Sequence, residues 1–190
     1  MPSQPKVMVV EDQEHLRRIF ASHLEGSYDV VTAGSGEEAL DRLAPDIEVV
    51  LLDRRLPGKD GEEVLQQIRE RGEFRVAMVT AVAPDFDIIE MAFDDYLTKP
   101  VFGEDLHAVV EHLLDLRSYD RTLKEYLSLV RKRSLLLEEK RETELLESDE
   151  FQALEDELAE RRRELDRLRD TLDADDDPAL FEQPTTVAAD

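Results

Sequence analysis

The stretch Glu48–Gly61 constrains this chain more than any other. Val49, Val50, Leu51 and Leu52 form a four-residue apolar run, which reads as a strand buried on both faces, as in a parallel sheet. Asp53 stands where that strand emerges, and Pro57-Gly58 supplies turn chemistry directly after it. Ligands of open α/β sheets bind beyond the carboxyl ends of the strands. A carboxylate at that point can serve as a metal ligand, a nucleophile or both, whereas an isolated Asp more often only shapes a turn. The rest of the chain decides between these readings.

In chain order, Lys6–Val10 reads as a strand delivering Glu11 and Asp12, followed by a helix burying Leu16, Ile19, Phe20 and Leu24 and ending near Gly26. Residues 29–33 form a second strand. Ser35 caps a second helix, with Glu38 completing a capping box. After the central strand, a third helix from about Gly61 buries Val64, Leu65 and Ile68. Residues 75–79 form a fourth strand delivering Thr80 and Ala81, a weaker helix lies between Asp85 and Met91, and Tyr96-Leu97 marks a short fifth strand delivering Lys99-Pro100. A fifth helix begins near Gly103. Five strands alternating with helices predict an α/β fold, a doubly wound, five-stranded parallel sheet with right-handed crossovers.

Glu11, Asp12, Asp53, Thr80 and Lys99 therefore share one edge of the sheet. Three converging carboxylates repel one another unless a cation sits among them, and Mg²⁺ suits an oxygen-only site that keeps some water. A phosphoryl group fits the remaining polar groups, because its oxygens need a metal, a cation and a hydroxyl donor. Ala81 is small and leaves room for it.

Residues 6 to about 117 resemble the receiver domain of two-component response regulators. The resemblance rests on the acidic pair Glu11-Asp12, the run Asp53-x-x-Leu56-Pro57-Gly58-x-Asp60-Gly61, Thr80-Ala81 and Lys99-Pro100, all in order. It implies that Asp53 is the phosphoacceptor of a sensor histidine kinase and that the chain is no enzyme. Glu11, Asp12, Asp53 and the backbone carbonyl of Arg55 are implied Mg²⁺ ligands. Thr80, Ala81 and Lys99 are implied phosphoryl contacts, Thr80 and Tyr96 a switching pair, and the Lys99–Pro100 bond a cis bond. Two departures stand out. The small pair common before strand five in the family is Ala92-Phe93 here, and two arginines, Arg54 and Arg55, follow Asp53 directly. Arg55 can reach over a phosphoryl group or lie flat on the acidic surface; both readings stay open.

Beyond residue 117 the composition shifts to Glu, Arg and Leu. Leu116, Leu123, Val130 and Leu137 recur every seven residues, with Tyr119 and Tyr126 between them, a stripe for helix packing. Near Glu147-Ser148 the pattern weakens and Ser148 can cap a new helix carrying Phe151, Leu154, Leu158, Leu165, Leu168 and Leu172. An antiparallel hairpin or a coiled coil between two chains both suit this. If the chain reverses at Glu147-Ser148, Arg131-Lys132-Arg133 and Arg161-Arg162-Arg163 meet as a basic band; the plainer expectation is that neighbouring glutamates neutralise them. The stretch from Tyr119-Asp120-Arg121-Thr122-Leu123 onward is similar to the HalX domain of haloarchaeal regulators. The expected divisions are thus a receiver over 1–117, a HalX-like helical domain over 118–172, and a disordered acidic tail over 173–190. The expected function is a response regulator acting through its helical part on transcription or a protein partner; the alternative is a phosphorelay intermediate whose helical part only dimerises. Expected partners are the histidine kinase, a second copy of the chain, and the transcription machinery or DNA.

Charge narrows these classes. The chain carries 47 acidic and 24 basic residues, a net −23, and neither half has the basic excess of a DNA-binding domain in ordinary salt. It has no cysteine, which removes disulfides and thiolate metal sites. No apolar run has transmembrane length and the N-terminus lacks a signal-peptide pattern, so a soluble, cytoplasmic protein is expected, in a cytoplasm of high ionic strength. Thermal melts should accordingly rise markedly in midpoint between ~0.1 M and ~3 M KCl, as the Debye length falls from ~10 Å to under ~3 Å; a flat profile would remove the halophilic reading.

Overall fold

The structure, a computed structural model, describes residues 4–175. It divides into two units, residues 1–114 and 115–190. In the first, five strands, β1 (Lys6–Val10), β2 (Asp29–Ala33), β3 (Ile47–Leu52), β4 (Arg75–Thr80) and β5 (Asp95–Thr98), form one parallel sheet in the order β2-β1-β3-β4-β5. This is the doubly wound α/β architecture that the strand–helix alternation predicts. The order reverses direction at β1, which places a crevice beyond the ends of β1 and β3.

The register follows from burial. Val7–Val10 and Val49–Leu52 are almost wholly removed from solvent, as are Val76–Val79, because β1, β3 and β4 are covered on both faces. Helices α1 (Glu14–Leu24), α2 (Gly36–Arg42) and α3 (Gly61–Arg71) supply the covering side chains, among them Leu24, Leu40, Val64, Leu65 and Ile68. Ser35 caps α2, its hydroxyl accepting from the Glu38 amide at 3.2 Å. Glu38 closes the motif one residue further back than a capping box, accepting from the Gly34 amide at 2.7 Å.

The segment between β4 and β5 differs from a regular helix. It is a short 3-10 turn, Phe86–Glu90, with no buried residue. Phe86 and Ile89 are largely exposed, so nothing apolar draws a full α-helix onto the sheet here. What anchors its far end is Asp94. That carboxylate accepts from Arg69 at 2.7 Å, from Arg75 at 2.6 Å and from the Val76 amide at 2.7 Å, tying β5 to α3 and β4. Burial alone would raise the Asp94 pKa; Arg69, the Val76 N–H and Arg75 outweigh it and hold the carboxyl below its ordinary value.

Helix α4 runs without interruption over Gly103–Glu139. Leu106, Val109, Val110 and Leu113 are buried in the first unit, and the helix then continues into the second. There it is followed by a short α5 (Glu142–Leu146) and by α6 (Asp149–Asp175). Ser148 caps α6, accepting from the Phe151 amide at 3.1 Å. Residues 115–175 form an antiparallel hairpin: Glu125 of α4 pairs with Arg161 of α6 at 3.1 Å, and Arg133 pairs with Glu155.

That register corrects two expectations. The ion pairs are centred on residues 143 and 144, not on Glu147-Ser148, because α4 ends at Glu139 and the whole of 140–148 serves as the connection. Arg131-Lys132-Arg133 and Arg161-Arg162-Arg163 are therefore out of step, and Arg133 and Arg161 face glutamates instead of one another. In addition, α6 extends through Asp175, three residues into the stretch expected to be disordered; the remainder of that stretch, 176–190, lies outside the described residues.

Asp94→Ala should destabilise the first unit by about 3 kcal/mol, since removing one partner strands the other charges. The sign with pH is fixed by the depressed native pKa: the Asp94 contribution is present above the unfolded-state value and is lost as pH falls through the native one. The difference in denaturant midpoint between parent and variant should therefore be full at pH 7 and shrink below about pH 4.

Candidate functional site

The site is assembled by backbone before any side chain takes part. The Glu11 amide donates to the Ala33 carbonyl at 3.0 Å, Asp53 to Val10 at 3.0 Å and Lys99 to Thr80 at 2.8 Å, each bond prolonging the sheet one residue past its strands. Glu11 and Asp12 thus leave β1, Asp53 leaves β3, and Lys99 leaves β5, all on one edge. The Lys99–Pro100 peptide bond is cis.

Two of the acids are buried: Glu11 is 1% exposed and Asp53 5%, while Asp12 is exposed. Carboxylate oxygens of Glu11, Asp12 and Asp53 lie within 4.8 Å of one another. The Lys99 ammonium bridges the buried pair, donating at 2.5 Å to Glu11 Oε2 and at 2.5 Å to Asp53 Oδ2. Their other oxygens are held by backbone, Glu11 Oε1 by the Gln13 amide at 3.1 Å and Asp53 Oδ1 by the Arg55 amide at 3.0 Å. Burial raises the Glu11 pKa, with Lys99 opposing the shift. For Lys99, burial works to lower the pKa, but Asp53 and Glu11 prevail and it is raised. The lysine is firmly charged.

An open cavity of about 230 Å³ is lined by Asp12, Gln13, Asp53, Arg55, Thr80, Ala81 and Lys99. Its acids offer only oxygen, the donor type that hard divalent cations prefer. The residues present therefore fit a Mg²⁺ ion. Thr80 is fully buried and its hydroxyl accepts from the Val82 amide at 3.3 Å. Tyr96 lies half-buried within the neighbouring strand β5 and its hydroxyl donates to the Val82 carbonyl at 2.7 Å. Thr80 and Tyr96 thus hold the same residue from its two backbone sides.

Three features of the site escape the sequence. Arg54 and Arg55, adjacent and alike on paper, separate completely. Arg55 is exposed at the cavity mouth, whereas Arg54 is buried, paired with Asp87 of the 3-10 turn and with Glu62 of α3. Asp87 foremost, with Glu62, raises the Arg54 pKa against the effect of burial. Arg17 of α1 donates to the backbone carbonyls of Glu11, at 2.6 Å, and Asp12, at 3.2 Å, fixing the loop that carries both acids. Gly61 starts α3 against the residue that matters most: a Cβ there would lie 2.3 Å from the Asp53 carbonyl. The sequence marks Gly61 as the start of a helix, but not this contact.

The family comparisons meet this geometry. The response regulator receiver domain family matches residues 7–111 and the HalX domain family matches residues 115–181. The chain belongs to the response regulator receiver family. In this regulator a HalX domain follows the receiver. A relative from Haloferax volcanii, named as a transcriptional regulator, is 45% identical over 94% of the chain and 33% of its own length. The alkaline phosphatase synthesis transcriptional regulatory protein PhoP of Bacillus subtilis is 38% identical over 57% of the chain and 48% of its own length. The regulator spans between a third and about half of the length of the curated relatives it matches. Among solved structures, the BeF₃-activated DrrB receiver domain superposes with a TM-score of 0.54 at 33% identity, covering 58% of the regulator and 97% of that domain. TrrA of Thermotoga maritima, solved in complex with Mg²⁺-BeF, gives 0.53 at 29% identity, covering 58% and 99%. Among the described residues, no helix is long and apolar enough to cross a membrane.

Proposed function

We propose that this regulator is switched by phosphorylation of Asp53, with a sensor histidine kinase as the phosphoryl source, and that its HalX domain carries the output to transcription. The observation that supports this most is the Lys99 ammonium bridging the two buried carboxylates of Glu11 and Asp53 beside Asp12. A carboxylate needed only for structure does not require an open cavity beside it lined by a second acid and a lysine.

In the reaction, an Asp53 carboxylate oxygen attacks phosphorus as the P–N bond to the donor imidazole breaks, and the imidazole keeps the electron pair and takes up a proton. Glu11, Asp12, Asp53 and the Arg55 backbone carbonyl would hold Mg²⁺, which neutralises charge building on the phosphoryl oxygens. Lys99, already positioned at Asp53, contributes the fixed positive charge. Ala81 leaves space, and the Arg55 amide orients the nucleophile through Asp53 Oδ1. Once a phosphoryl group is in place, the Thr80 hydroxyl has an ionised oxygen to donate to, and turning toward it carries away the oxygen that now accepts from the Val82 amide. Giving up the Val82 amide loosens the residue that also holds the Tyr96 hydroxyl. Thr80 and Tyr96 are on this reading a coupled pair, reporting the state of Asp53 to the β4–β5 edge.

For the output, the names of the Haloferax and Bacillus relatives support transcription. The division we propose keeps the receiver at 1–117 and the HalX domain at 118–172, with 173–190 as a tail. The phosphorelay-intermediate reading has no observation in its favour beyond the helical hairpin itself.

Incubation with a small phosphodonor and Mg²⁺ should label the parent protein and the Asp60→Asn variant but not Asp53→Asn, and EDTA should abolish labelling of the two that are labelled. Undiminished labelling of Asp53→Asn would overturn the assignment.

A further inference from the structure

Of the three carboxylates at the sheet edge, two are held by their own oxygens and one is not. Lys99 with the Gln13 amide fixes Glu11, and Lys99 with the Arg55 amide fixes Asp53. Asp12 is exposed, and among the described residues its carboxylate accepts no hydrogen bond and joins no ion pair. It nevertheless stands within 4.8 Å of the other two. Its backbone keeps it there, and the side chain that grips that backbone is Arg17. Nη1 of Arg17 donates to the Glu11 carbonyl at 2.6 Å and to the Asp12 carbonyl at 3.2 Å. One nitrogen thus holds the peptide groups on both sides of the Asp12 Cα, which fixes the direction in which the carboxylate leaves the chain.

We propose that Arg17 is a positioning residue for the divalent cation: by clasping the two carbonyls around Asp12 it presets the third carboxylate ligand and so sets the affinity of the site for Mg²⁺. Neither its charge nor its place in α1 explains it otherwise. Among the described residues Arg17 makes no ion pair, in a chain with 47 acidic residues. Its guanidinium lies beside the amino end of α1, where the helix dipole disfavours a cation. Room for it is kept by Gly34, where an added Cβ would lie 3.1 Å from Arg17 Nη1. Arg17 touches neither the cation nor Asp53; it acts through the Asp12 backbone, as groups behind metal ligands commonly do. The proposal rests on the Mg²⁺ reading of the site, and the experiment separates the two.

Mn²⁺ is the probe, titrated into the full chain in ~2 M KCl to screen the acidic surface and read by water-proton relaxation, with Asp12→Asn as the background. Arg17→Met should weaken binding by ~10-fold or more. Coulomb's law alone predicts the reverse, since deleting a cation beside the site should tighten the binding of another. Arg17→Lys, which keeps the charge and a donor, should recover most of the affinity. Gly34→Ala, which crowds the guanidinium without altering any charge, should fall between Arg17→Met and the parent. Arg18→Gln, one residue along the same helix where Arg18 pairs with Glu14, should bind as the parent does. Melting midpoints taken without metal show that each variant is folded. Parent-like or tighter binding by Arg17→Met, or equal weakening in Arg18→Gln, would overturn the proposal and leave the cation site standing. Equal binding by the parent and Asp12→Asn would overturn the site reading and the proposal with it.

Discussion

One ammonium group sets the terms for the rest of the receiver. Glu11 and Asp53 are both buried and point into the same small space, which two carboxylates in a low-dielectric setting do not tolerate without a counter-charge. Lys99 supplies it from the far end of the receiver, 88 and 46 residues away. For that reach to work, β5 must finish at Thr98, so that the Lys99 amide can still bond to Thr80. β1 and β3 must finish together, so that Val10 can accept from Asp53. The parallel register, the apolar run in β3 and the Asp94 anchor of β5 all serve this meeting of charges. So does Gly61, which lets α3 start against the Asp53 carbonyl with no side chain between them. The lysine also leaves the cluster net negative, with Asp12 beside it on the open side, the arrangement that admits a divalent cation.

How much of this could be read from the sequence depended on whether the signal was local. The five strands and the residues they deliver were legible, because burial on both faces leaves uninterrupted apolar runs and the polar residue after each run marks the sheet edge. The Ser35 and Ser148 caps were legible for the same reason: capping is a three-residue event. Arg54 was not. Its partners, Glu62 and Asp87, lie in two other elements, and nothing in the Arg54-Arg55 pair says which of the two turns inward. Asp94 likewise looked like one acid among many, since Arg69 and Arg75 reach it only once α3 and β4 are laid side by side. The 3-10 turn at Phe86–Glu90 was read as a weak helix because short segments with apolar residues at similar spacing do not distinguish the two.

The helical hairpin shows a subtler failure of pattern reading. A search for leucines finds the line through Leu123, Val130 and Leu137, yet the line that packs on α6 contains Thr122 and Arg133 beside Leu129. A buried threonine and a charge-paired arginine carry no hydrophobic signal. The expectation of a reversal at Glu147-Ser148 failed for a related reason, since Ser148 does begin α6 but α5 occupies the connection before it. The consequence is physical: Arg133 and Arg161, expected to gather in one band, are instead each opposed by a carboxylate.

The central claim is that Asp53, and no other carboxylate of the cluster, is the group that carries the phosphoryl. An acyl phosphate is distinguished from every other phosphorylated side chain by its reduction with borohydride, which converts the phosphorylated aspartate to homoserine. Protein treated with a phosphodonor and Mg²⁺, reduced and mapped by peptide mass spectrometry should show homoserine at position 53 and at no other position. Homoserine at position 12 or 60, or none at all despite stoichiometric phosphate incorporation, would contradict the account.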